Sequence, residues 1–501
     1  MFYKSTRNNA LRFTASQAVL KGLSDDGGLF VPEKLPVLDK SLQELAAMDY
    51  KAVAYEVMKL YLSDYTEEEL KYCIEHAYDD KFDIPEKVAL KEAGGAYYLE
   101  LFHGPTIAFK DMALSILPYL MTTAAKKNSL NEEIVILTAT SGDTGKAALA
   151  GFADVPGTRI MVFYPKDGVS KIQEKQMVTQ KGGNVKVVGI RGNFDDAQNG
   201  VKAMFNDTEL KDELKSRGYV FSSANSINIG RLVPQIVYYV YSYTRLLKDG
   251  VIADGEAINF CVPTGNFGNI LAAYFAKQLG LPVGKLICAS NKNKVLTDFF
   301  MSGTYDKLHV MDEKGDFTEK REFMLTSSPS MDILISSNLE RLIYLICGED
   351  DFKCAGFMKK LAKEGSYEID EAMQEKLKDF SAGFADEASC AGMIKKIYEE
   401  DAYVIDPHTA VAGAVYDAYR NQSGDNRKCV IASTASPYKF PEAVLRALGV
   451  ESTEAELTDT LGEVSKVPFP KAITELRDAK VLHDTVCDKD EMKDQVRAFL
   501  S

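Results

Sequence analysis

Residues 101–113 read LFHGPTIAFKDMA, and the rest of the chain can be interpreted outward from them. Gly104-Pro105 interrupts the chain, Thr106 can cap a helix, and an apolar-periodic run continues to Leu120, which predicts a helix start. Counted along that helix, Lys110 lies in the apolar stripe. A lysine buried there has a lowered pKa, so more of its amine is free to attack a carbonyl carbon. The alternative is a lysine that reaches from an apolar face to solvent.

Composition argues against several classes of function. The 501 residues allow two to four domains, and 46% hydrophobic with 26% charged residues is ordinary for a soluble globular protein. The net charge of −14 argues against nucleic acid or an acidic membrane as the main partner, because both need a basic surface. No apolar run approaches the length of a spanning helix, and residues 1–7 lack the apolar core of a signal peptide.

The cysteines and histidines predict free thiols and no metal centre. The eight cysteines include no CxxC pair, and several, such as Cys261 in an apolar run, are expected to be buried. The five histidines are isolated from one another and from the cysteines, so we expect no zinc site. These features together favour a reduced, cytoplasmic protein.

Beyond residue 130 the chain alternates between apolar strands and helices. The strands are predicted at 133–137, 159–164, 185–190, 257–262, 286–289 and 429–432. Helices are predicted up to 150 and at 171–180, 195–205, 269–279 and 441–448. Strands that are apolar throughout and separated by helices indicate parallel sheets covered on both faces. The first 95 residues form a mixed region with helices around 42–62 and 67–77, and residues 300–400 are expected to be mostly helical and charged.

A glycine-rich turn, PTGNFGN at 263–269, joins one of these strands to its helix. Gly265 and Gly268 let the backbone turn sharply and approach a ligand, and the following helix directs free N–H groups toward it. The pattern favours a phosphate cradle, although a glycine turn between strand and helix is also a routine connector.

Residues 138–146, TATSGDTGK, have the same architecture with more hydroxyl groups. Ser141, Thr144 and neighbouring amides could hold a carboxylate at the helix N-terminus. A nucleotide P-loop is excluded, because the two glycines are separated by two residues instead of four and the lysine is followed by alanine.

Three further positions have both a ligand-binding and a structural interpretation. Arg231 begins an apolar helix at 232–243 and could bind a phosphate or carboxylate through two hydrogen bonds, or it could be a solvated arginine. The hydroxyls at 433–436 follow a strand end, where a hydroxyl is usually a helix cap. A lone His408 near a capped helix start is more often structural than catalytic.

Together these motifs resemble those of threonine synthases. The likeness extends over nearly the whole chain, in order, through GGLFVP (27–32), GPTIAFKD (104–111), TSGDTG (140–145), NSINIGR (225–231), PTGNFGN (263–269), PSMDI (329–333) and DPHTA (406–410). The Gly-Gly-Leu segment is similar to that of the bacterial and fungal branch of the family.

The resemblance implies an α/β protein of fold-type II among pyridoxal-phosphate enzymes. Two parallel-sheet domains of the tryptophan-synthase-β-like kind would hold the cofactor in the cleft between them, beside a mixed N-terminal region. We therefore expect an N-terminal domain at 1–95, a smaller α/β domain region at 96–250 with the lysine and a substrate loop, and a larger one at 251–501 with the cofactor-phosphate loop.

Site residues follow from the same resemblance. Lys110 matches the Schiff-base lysine, and Thr434 matches a hydroxyl that faces the pyridine nitrogen. The implied cradle for the cofactor phosphate is Gly265, Asn266, Phe267, Gly268 and Asn269. The implied substrate contacts are Thr140, Ser141, Asp143, Thr144, Asn225, Ser226, Asn228 and Arg231.

Two positions depart from the pattern. Ser436 stands where many relatives have a histidine. Asp143 stands where other type II enzymes have an asparagine, which is usual in this branch but leaves open which group faces the cofactor's phenolic oxygen.

The implied activity is conversion of O-phospho-L-homoserine and water to L-threonine and phosphate, by γ-elimination and addition of water at the β carbon. The alternatives are a serine or threonine dehydratase on the same fold and a catalytically silent paralogue. Arg231 favours a phosphorylated substrate, and the intact Lys110 with its glycine cradle argues against a silent paralogue. We expect a small-molecule substrate, no nucleic acid, membrane or metal partner, and a monomer or homodimer.

Overall fold

The computed structural model describes residues 1–140 and 142–501. The N-terminal unit combines a three-stranded antiparallel sheet, in the order β2-β1-β3, with four helices. Its elements are β1 Tyr3–Ser5, β2 Asn8–Phe13, α1 Ala15–Lys21, β3 Phe30–Pro32, α2 Leu42–Ala46, α3 Tyr50–Tyr61 and α4 Glu67–Ala77.

The middle of the chain supplies most of the smaller parallel sheet. Its elements are β4 Ala89–Ala93, β5 Ala96–Glu100, α5 Asp111–Leu114, α6 Leu117–Lys127, β6 Glu133–Ala139, α7 Asp143–Phe152, β7 Thr158–Pro165, α8 Lys171–Val178, β8 Val185–Arg191, α9 Phe194–Asn206, α10 Thr208–Ser216, β9 Tyr219–Ser222 and α11 Ile229–Lys248.

The remaining elements supply most of the larger sheet and its covering helices. They are β10 Ile258–Pro263, α12 Gly268–Gln278, β11 Val283–Ser290, α13 Val295–Ser302, β12 Thr304–Asp306, β13 His309–Met311, β14 Phe317–Lys320, α14 Leu339–Ile346, α15 Asp351–Glu364, β15 Ser366–Glu368, α16 Glu371–Lys376, β16 Phe380–Phe384, α17 Glu387–Asp401, α18 Pro407–Ser423, β17 Cys429–Ser433, α19 Pro441–Ala447, α20 Leu457–Ser465, α21 Lys471–Arg477, β18 Val486–Asp488 and α22 Met492–Phe499.

Two parallel sheets form the centre of the molecule. The five-stranded sheet has the order β18-β8-β7-β6-β9, and the six-stranded sheet has the order β16-β11-β10-β17-β5-β4, in which only β4 runs antiparallel to its neighbour. Strand β10 is buried along its whole length because helices cover both faces. The predicted α/β class with two parallel sheets and a mixed N-terminal region is confirmed.

Each sheet contains strands from distant parts of the chain. Strands β4 and β5 precede the lysine segment but belong to the larger sheet, while β18, near the C-terminus, joins the edge of the smaller sheet. The domain boundaries at 95 and 250 therefore stay a prediction. Each of the two sheets also contains strands from outside the sequence range predicted for it.

The N-terminal unit is attached by buried polar contacts. Thr6 donates to Glu340 at 2.6 Å, and Arg7 makes two further bonds to the same carboxylate, at 2.8 and 2.7 Å. The fully buried Arg341 donates to the carbonyl of Phe30 at 2.9 Å and to that of Ile227. Helix α14 thus joins the N-terminal sheet to the segment that precedes α11.

Several local predictions were wrong, and backbone conformation and short-range side-chain contacts explain two of them. The helix expected after Thr106 begins only at Asp111, because Ile107 has a left-handed backbone with φ of 53° and Thr106 donates to the Asp111 carboxylate from its N–H and hydroxyl. The helix expected at 42–62 is two helices, because the Asp49 side chain caps α3. Residues 300–400 contain the short strands β12 to β16 besides their helices.

The close packing of α7 on α5 yields a stability prediction. A Cβ added at Gly151 would lie 2.1 Å from the carbonyl oxygen of Leu114, a backbone atom that cannot move aside alone. We expect Gly151→Ala to lower the apparent melting temperature, with a cost of about 1–3 kcal/mol from overpacking.

The matched control is Gly356→Ala in α15, where an added Cβ meets nothing within 4 Å. It should raise stability by about 0.5–1 kcal/mol, because alanine is the better helix former. Equal melting temperatures for the two variants would contradict the tight α5–α7 contact.

Candidate active site

The lysine segment is held against the end of strand β17. The N–H of Phe109 donates to the carbonyl of Thr434 at 2.8 Å, and the N–H of Ser436 donates to the carbonyl of Ile107 at 3.0 Å. Ala108 and Ala435 form an isolated antiparallel bridge between these bonds. Lys110 is therefore positioned at the carboxyl end of the larger sheet, where sheet-based sites lie.

Lys110 is buried, with 9% of the residue exposed. Its Nζ donates to Ser330 Oγ at 3.2 Å and lies 3.8 Å from Asp143 Oδ2. Burial lowers the pKa of Lys110 to about 8; Asp143 opposes this effect, whereas Lys439 and Arg231 add to it. A large fraction of the amine is thus neutral near pH 8, as a nucleophile or base requires.

Asp143 is the most heavily bonded carboxylate of the site. It accepts from Gln173 Nε2 at 2.8 Å and Ser330 Oγ at 3.1 Å, and it pairs with Lys439 Nζ at 3.1 Å. Burial favours its neutral form, but Lys439 and Lys110 outweigh that effect and hold the pKa of Asp143 well below its usual range. The carboxylate is ionised at neutral pH.

Lys439, Ser330 and Gln173 were missed by sequence reasoning. Lys439 lies in a short turn just after β17, and nothing near it in sequence shows that its counterion is at residue 143. The sequence offered two weak signals for these residues. Lys439 comes shortly after a buried strand, and Ser330 lies in the PSMDI segment, which resembles that of threonine synthases.

His408 contacts the same group of residues. Its Nδ1–H donates to Asp406 Oδ2 at 2.7 Å, and its Nε2 accepts from the Ser330 N–H at 3.2 Å. Both ring nitrogens are engaged within the protein, Nδ1 with Asp406 and Nε2 with the Ser330 backbone, which agrees with a structural interpretation of His408.

The glycine turn at 263–269 has the geometry of an anion cradle. Helix α12 begins at Gly268 after a left-handed Phe267 with φ of 64°. Within the described residues, none of the backbone N–H groups of 265–269 donates a hydrogen bond. A Cβ at Gly265 would lie 2.6 Å from the carbonyl oxygen of Ser330, so only glycine allows the two loops to approach this closely.

Asn269, at the end of this turn, has a side-chain donor without a partner among the described residues. Its Oδ1 accepts from the hydroxyls of Tyr238 and Tyr239 on α11, at 2.6 and 2.5 Å. Its buried Nδ2 has no partner among the described residues. A buried amide donor without an acceptor costs free energy, so this position is suited to a bound anion.

Arg231 is buried near the start of α11. One guanidinium nitrogen donates to the carbonyl of Ala224 at 2.8 Å, while its Nε has no partner among the described residues. Burial lowers the pKa of Arg231 to about 10, with no carboxylate acting on it. The cation is therefore available to an anionic ligand, and the solvated alternative is wrong.

The other predicted site residues have mixed surroundings. The buried Thr140 hydroxyl accepts from the N–H groups of Gly142 and Gly145, at 3.0 and 2.9 Å, and so shapes its own loop. Thr144 is half-buried and Thr434 is buried. Ser141 lies outside the described residues.

The predicted substrate-binding residues just before Arg231 also differ in burial. Asn225 is exposed and Ser226 is half-buried. Asn228 is buried and its side chain is fully occupied, because it caps α11 through the Gly230 N–H and donates to two backbone carbonyls. Its predicted substrate contact has no free side-chain donor to use.

Comparison with known proteins accounts for the whole chain. Residues 2–78 match the family model for the threonine synthase N terminus, residues 87–434 that for pyridoxal-phosphate dependent enzymes, and residues 409–486 that for the threonine synthase C-terminal region.

Individual proteins similar to this chain are also threonine synthases or threonine synthase-like proteins. Threonine synthase-like 1 of Pongo abelii is 38% identical over 469 residues, 90% of this chain, which spans only 61% of that relative's length. Threonine synthase of Schizosaccharomyces pombe is 37% identical over 470 residues, 89% of each chain. The crystal structure of pyridoxal-phosphate-bound threonine synthase from Brucella melitensis superposes with a TM-score of 0.87 at 34% identity, covering 100% of this chain and 99% of that one. The yeast threonine synthase structure gives 0.87 at 32%, covering 100% and 98%.

The cofactor is therefore pyridoxal 5′-phosphate, and the residues present fit it. The unengaged amides of 265–269 and the unpaired Asn269 Nδ2 suit a phosphate, and the buried Lys110 amine suits an aldehyde.

Lys110→Ala should abolish covalent retention of the cofactor, because it removes the buried amine that lies beside Ser330 and Asp143. The measurement is borohydride reduction of the cofactor-loaded protein, followed by mass spectrometry of the labelled peptide. Lys146→Ala, on the neighbouring α7, is the control and should still give the label at residue 110. A label on another lysine in the wild-type protein would refute the assignment.

Asn269→Asp should weaken cofactor binding while leaving the protein folded. The carboxylate can still accept from both tyrosines, but it replaces the unpaired donor by a negative charge. We expect the cofactor Kd to rise roughly tenfold or more, since a hydrogen bond to a charged group is worth about 1.5–3 kcal/mol. The measurement is titration of apoprotein with cofactor by absorbance.

The exposed Asn206→Asp adds the same charge at a distance and should leave that Kd unchanged. An unchanged Kd in Asn269→Asp as well would remove Asn269 from the cradle.

Proposed function

The chain belongs to the threonine synthase family of pyridoxal-phosphate-dependent enzymes, and on that premise we propose that it converts O-phospho-L-homoserine and water to L-threonine and phosphate. This makes it a carbon–oxygen lyase that acts on a phosphate ester. The observation that carries the proposal is the buried, carboxylate-free guanidinium of Arg231 in the same site as Lys110.

Charge supports a phosphorylated substrate. Of the buried cations near Lys110, Lys439 pairs with Asp143 at 3.1 Å, whereas Arg231 has no carboxylate partner among the described residues. A dehydratase acting on serine or threonine needs to bind only the substrate carboxylate beyond the cofactor. A buried cation left over without a partner suits a second anionic group, because an isolated buried charge is unfavourable.

Lys110 is the group that moves protons. When bound, pyridoxal phosphate forms a covalent bond to an amine through its aldehyde and withdraws electrons from the adjacent carbon. With a pKa of about 8, Lys110 Nζ can take the proton from the substrate's α carbon and the proton from its β carbon. Its hydrogen bond to Ser330 Oγ holds the amine in place between these transfers.

Arg231 and the substrate loop would hold the two anionic ends of the substrate. We assign the phosphate to the Arg231 guanidinium, whose Nε has no internal acceptor, and the carboxylate to the amides at the start of α7. Loss of phosphate from the γ carbon, protonation of that carbon, addition of water at the β carbon and return of a proton to the α carbon then give threonine. Of the protons from the α carbon, the β carbon and water, two return to carbon and the third goes to the departing phosphate.

The direct test is incubation of the cofactor-loaded protein with O-phosphohomoserine, with phosphate measured by colorimetry and threonine by chromatography. Equal amounts of both products are expected. Release of 2-oxobutyrate in place of threonine would indicate a dehydratase-type outcome, and no product with bound cofactor would indicate a silent paralogue.

Arg231→Gln should weaken recognition of O-phosphohomoserine by roughly tenfold to a hundredfold, as expected for loss of one charge-assisted bond of about 1.5–3 kcal/mol. The spectral change on adding serine, which lacks the phosphate, should occur at nearly the same concentration as in the wild type. Both titrations are followed by cofactor absorbance at one modest salt concentration, because salt screens charge interactions.

Arg245→Gln, in the last turn of the same helix, is the matched control and should change neither titration. Equal losses for serine and the phosphorylated substrate in Arg231→Gln would instead place Arg231 on the shared carboxylate.

A further inference from the structure

Lys439 is buried more completely than Lys110, with 0% of its side chain exposed. Its Nζ lies 3.1 Å from Asp143 Oδ1 and donates to the carbonyl of Thr106 at 2.9 Å. Thr106 in turn donates to Asp111, in the first turn of α5 after Lys110. One ammonium group thus touches both the carboxylate beside Lys110 and the loop that carries Lys110.

The ion pair between Lys439 and Asp143 offsets an unfavourable electrostatic effect of Asp143 on Lys110. Asp143 Oδ2 lies 3.8 Å from Lys110 Nζ, and an ionised carboxylate at that distance favours the protonated lysine. The reaction needs the neutral amine. A second cation on the other oxygen of Asp143 counteracts that attraction.

The same conflict exists for the cofactor. Its ring carries a hydroxyl oxygen on the carbon next to the aldehyde, and this oxygen is acidic. Because Lys110 reacts at the aldehyde and Asp143 Oδ2 lies 3.8 Å from its Nζ, that oxygen and the Asp143 carboxylate would share one buried site. Two negative oxygens in a buried site repel each other strongly unless a positive charge compensates them.

We propose that Lys439 is a positioning residue that makes Asp143 one half of a net-neutral buried pair, so that a carboxylate can lie beside Lys110 without adding net negative charge where the cofactor binds. The Lys439–Asp143 pair can form hydrogen bonds with Lys110 or the cofactor while carrying no net charge. The proposal rests on the proposed function only through the cofactor, and not through the identity of the substrate.

The first test is a double-mutant cycle on cofactor binding to apoprotein. Lys439→Met leaves Asp143 uncompensated, so we expect the cofactor Kd to rise roughly tenfold or more. Adding Asp143→Asn removes the stranded charge, and the double variant should return to within about threefold of the wild-type Kd, since the coupling of contacting residues is non-additive.

The matched control is Lys146→Met. Lys146 is a lysine of α7 that donates to Gln180 and does not contact Asp143. It loses the same charge by the same substitution, yet its cofactor Kd should stay within about threefold of wild type. A loss in Lys146→Met equal to that in Lys439→Met would show a general charge effect and overturn the proposal.

The second test needs no cofactor. The charged groups acting on Lys110 are Asp143, Lys439, Arg231 and Asp111. The pH dependence of acetic anhydride labelling of Lys110 in apoprotein, followed by mass spectrometry, gives the pH at which the amine becomes reactive. This midpoint should rise by roughly one unit in Lys439→Met, fall in Asp143→Asn, and return toward wild type in the double variant.

These results decide the proposal whatever the substrate is. An unchanged Kd and midpoint in Lys439→Met, or a double variant as weak as Lys439→Met, overturns it. If Lys439→Met does not fold by circular dichroism, the midpoints of Asp143→Asn and the double variant decide, since the proposal requires them to differ. Failure of phosphate release from O-phosphohomoserine would contradict the proposed function alone and leave both of these measurements intact.

Discussion

The burial of one lysine amine is the constraint on which the site depends. Lys110 sits where desolvation favours its neutral form, yet it is 3.8 Å from the ionised Asp143. The buried Lys439 pairs with that carboxylate at 3.1 Å, and Lys439 and Arg231 both lower the pKa of Lys110. Because opposing charges inside a protein must be compensated locally, each of these side chains needs the others in place.

The fold satisfies this constraint by bringing together sequence-distant loops at the end of the larger sheet. Lys110 lies between β5 and α5, Asp143 begins α7 after a strand of the smaller sheet, and Lys439 follows β17. The backbone bonds from Phe109 and Ser436 fix the lysine segment to β17. Ser330 then connects Lys110, Asp143 and His408 from a separate loop. Such convergence is typical of sites at the carboxyl ends of parallel strands.

The N-terminal unit and α11 are linked to the two proposed anion-binding positions, which are Arg231 and the turn at 263–269. Arg341 ties Phe30 of the N-terminal sheet to Ile227, just before α11, and Asn338 beside it donates to the Asn266 carbonyl in the cradle. Helix α11 carries Arg231 near its start and, further along, the tyrosines that orient Asn269. One helix therefore positions both the cation that we propose binds the substrate and the Asn269 amide that we propose binds the cofactor.

The sequence alone determined the parallel-sheet class, because continuous apolar strands are a local pattern, and local patterns also pointed to the glycine turn at 263–269 and to Lys110. Tertiary structure decided the rest. It fixed the lysine segment to β17 through the Phe109–Thr434 bond and engaged the Asn228 amide with the carbonyl of Val19. It left Arg231 buried, with no carboxylate partner among the described residues. It also paired Asp143 with Lys439, almost 300 residues away in the chain. No local pattern contains that contact, because the counterion of a buried charge is set by which loops the sheets bring together.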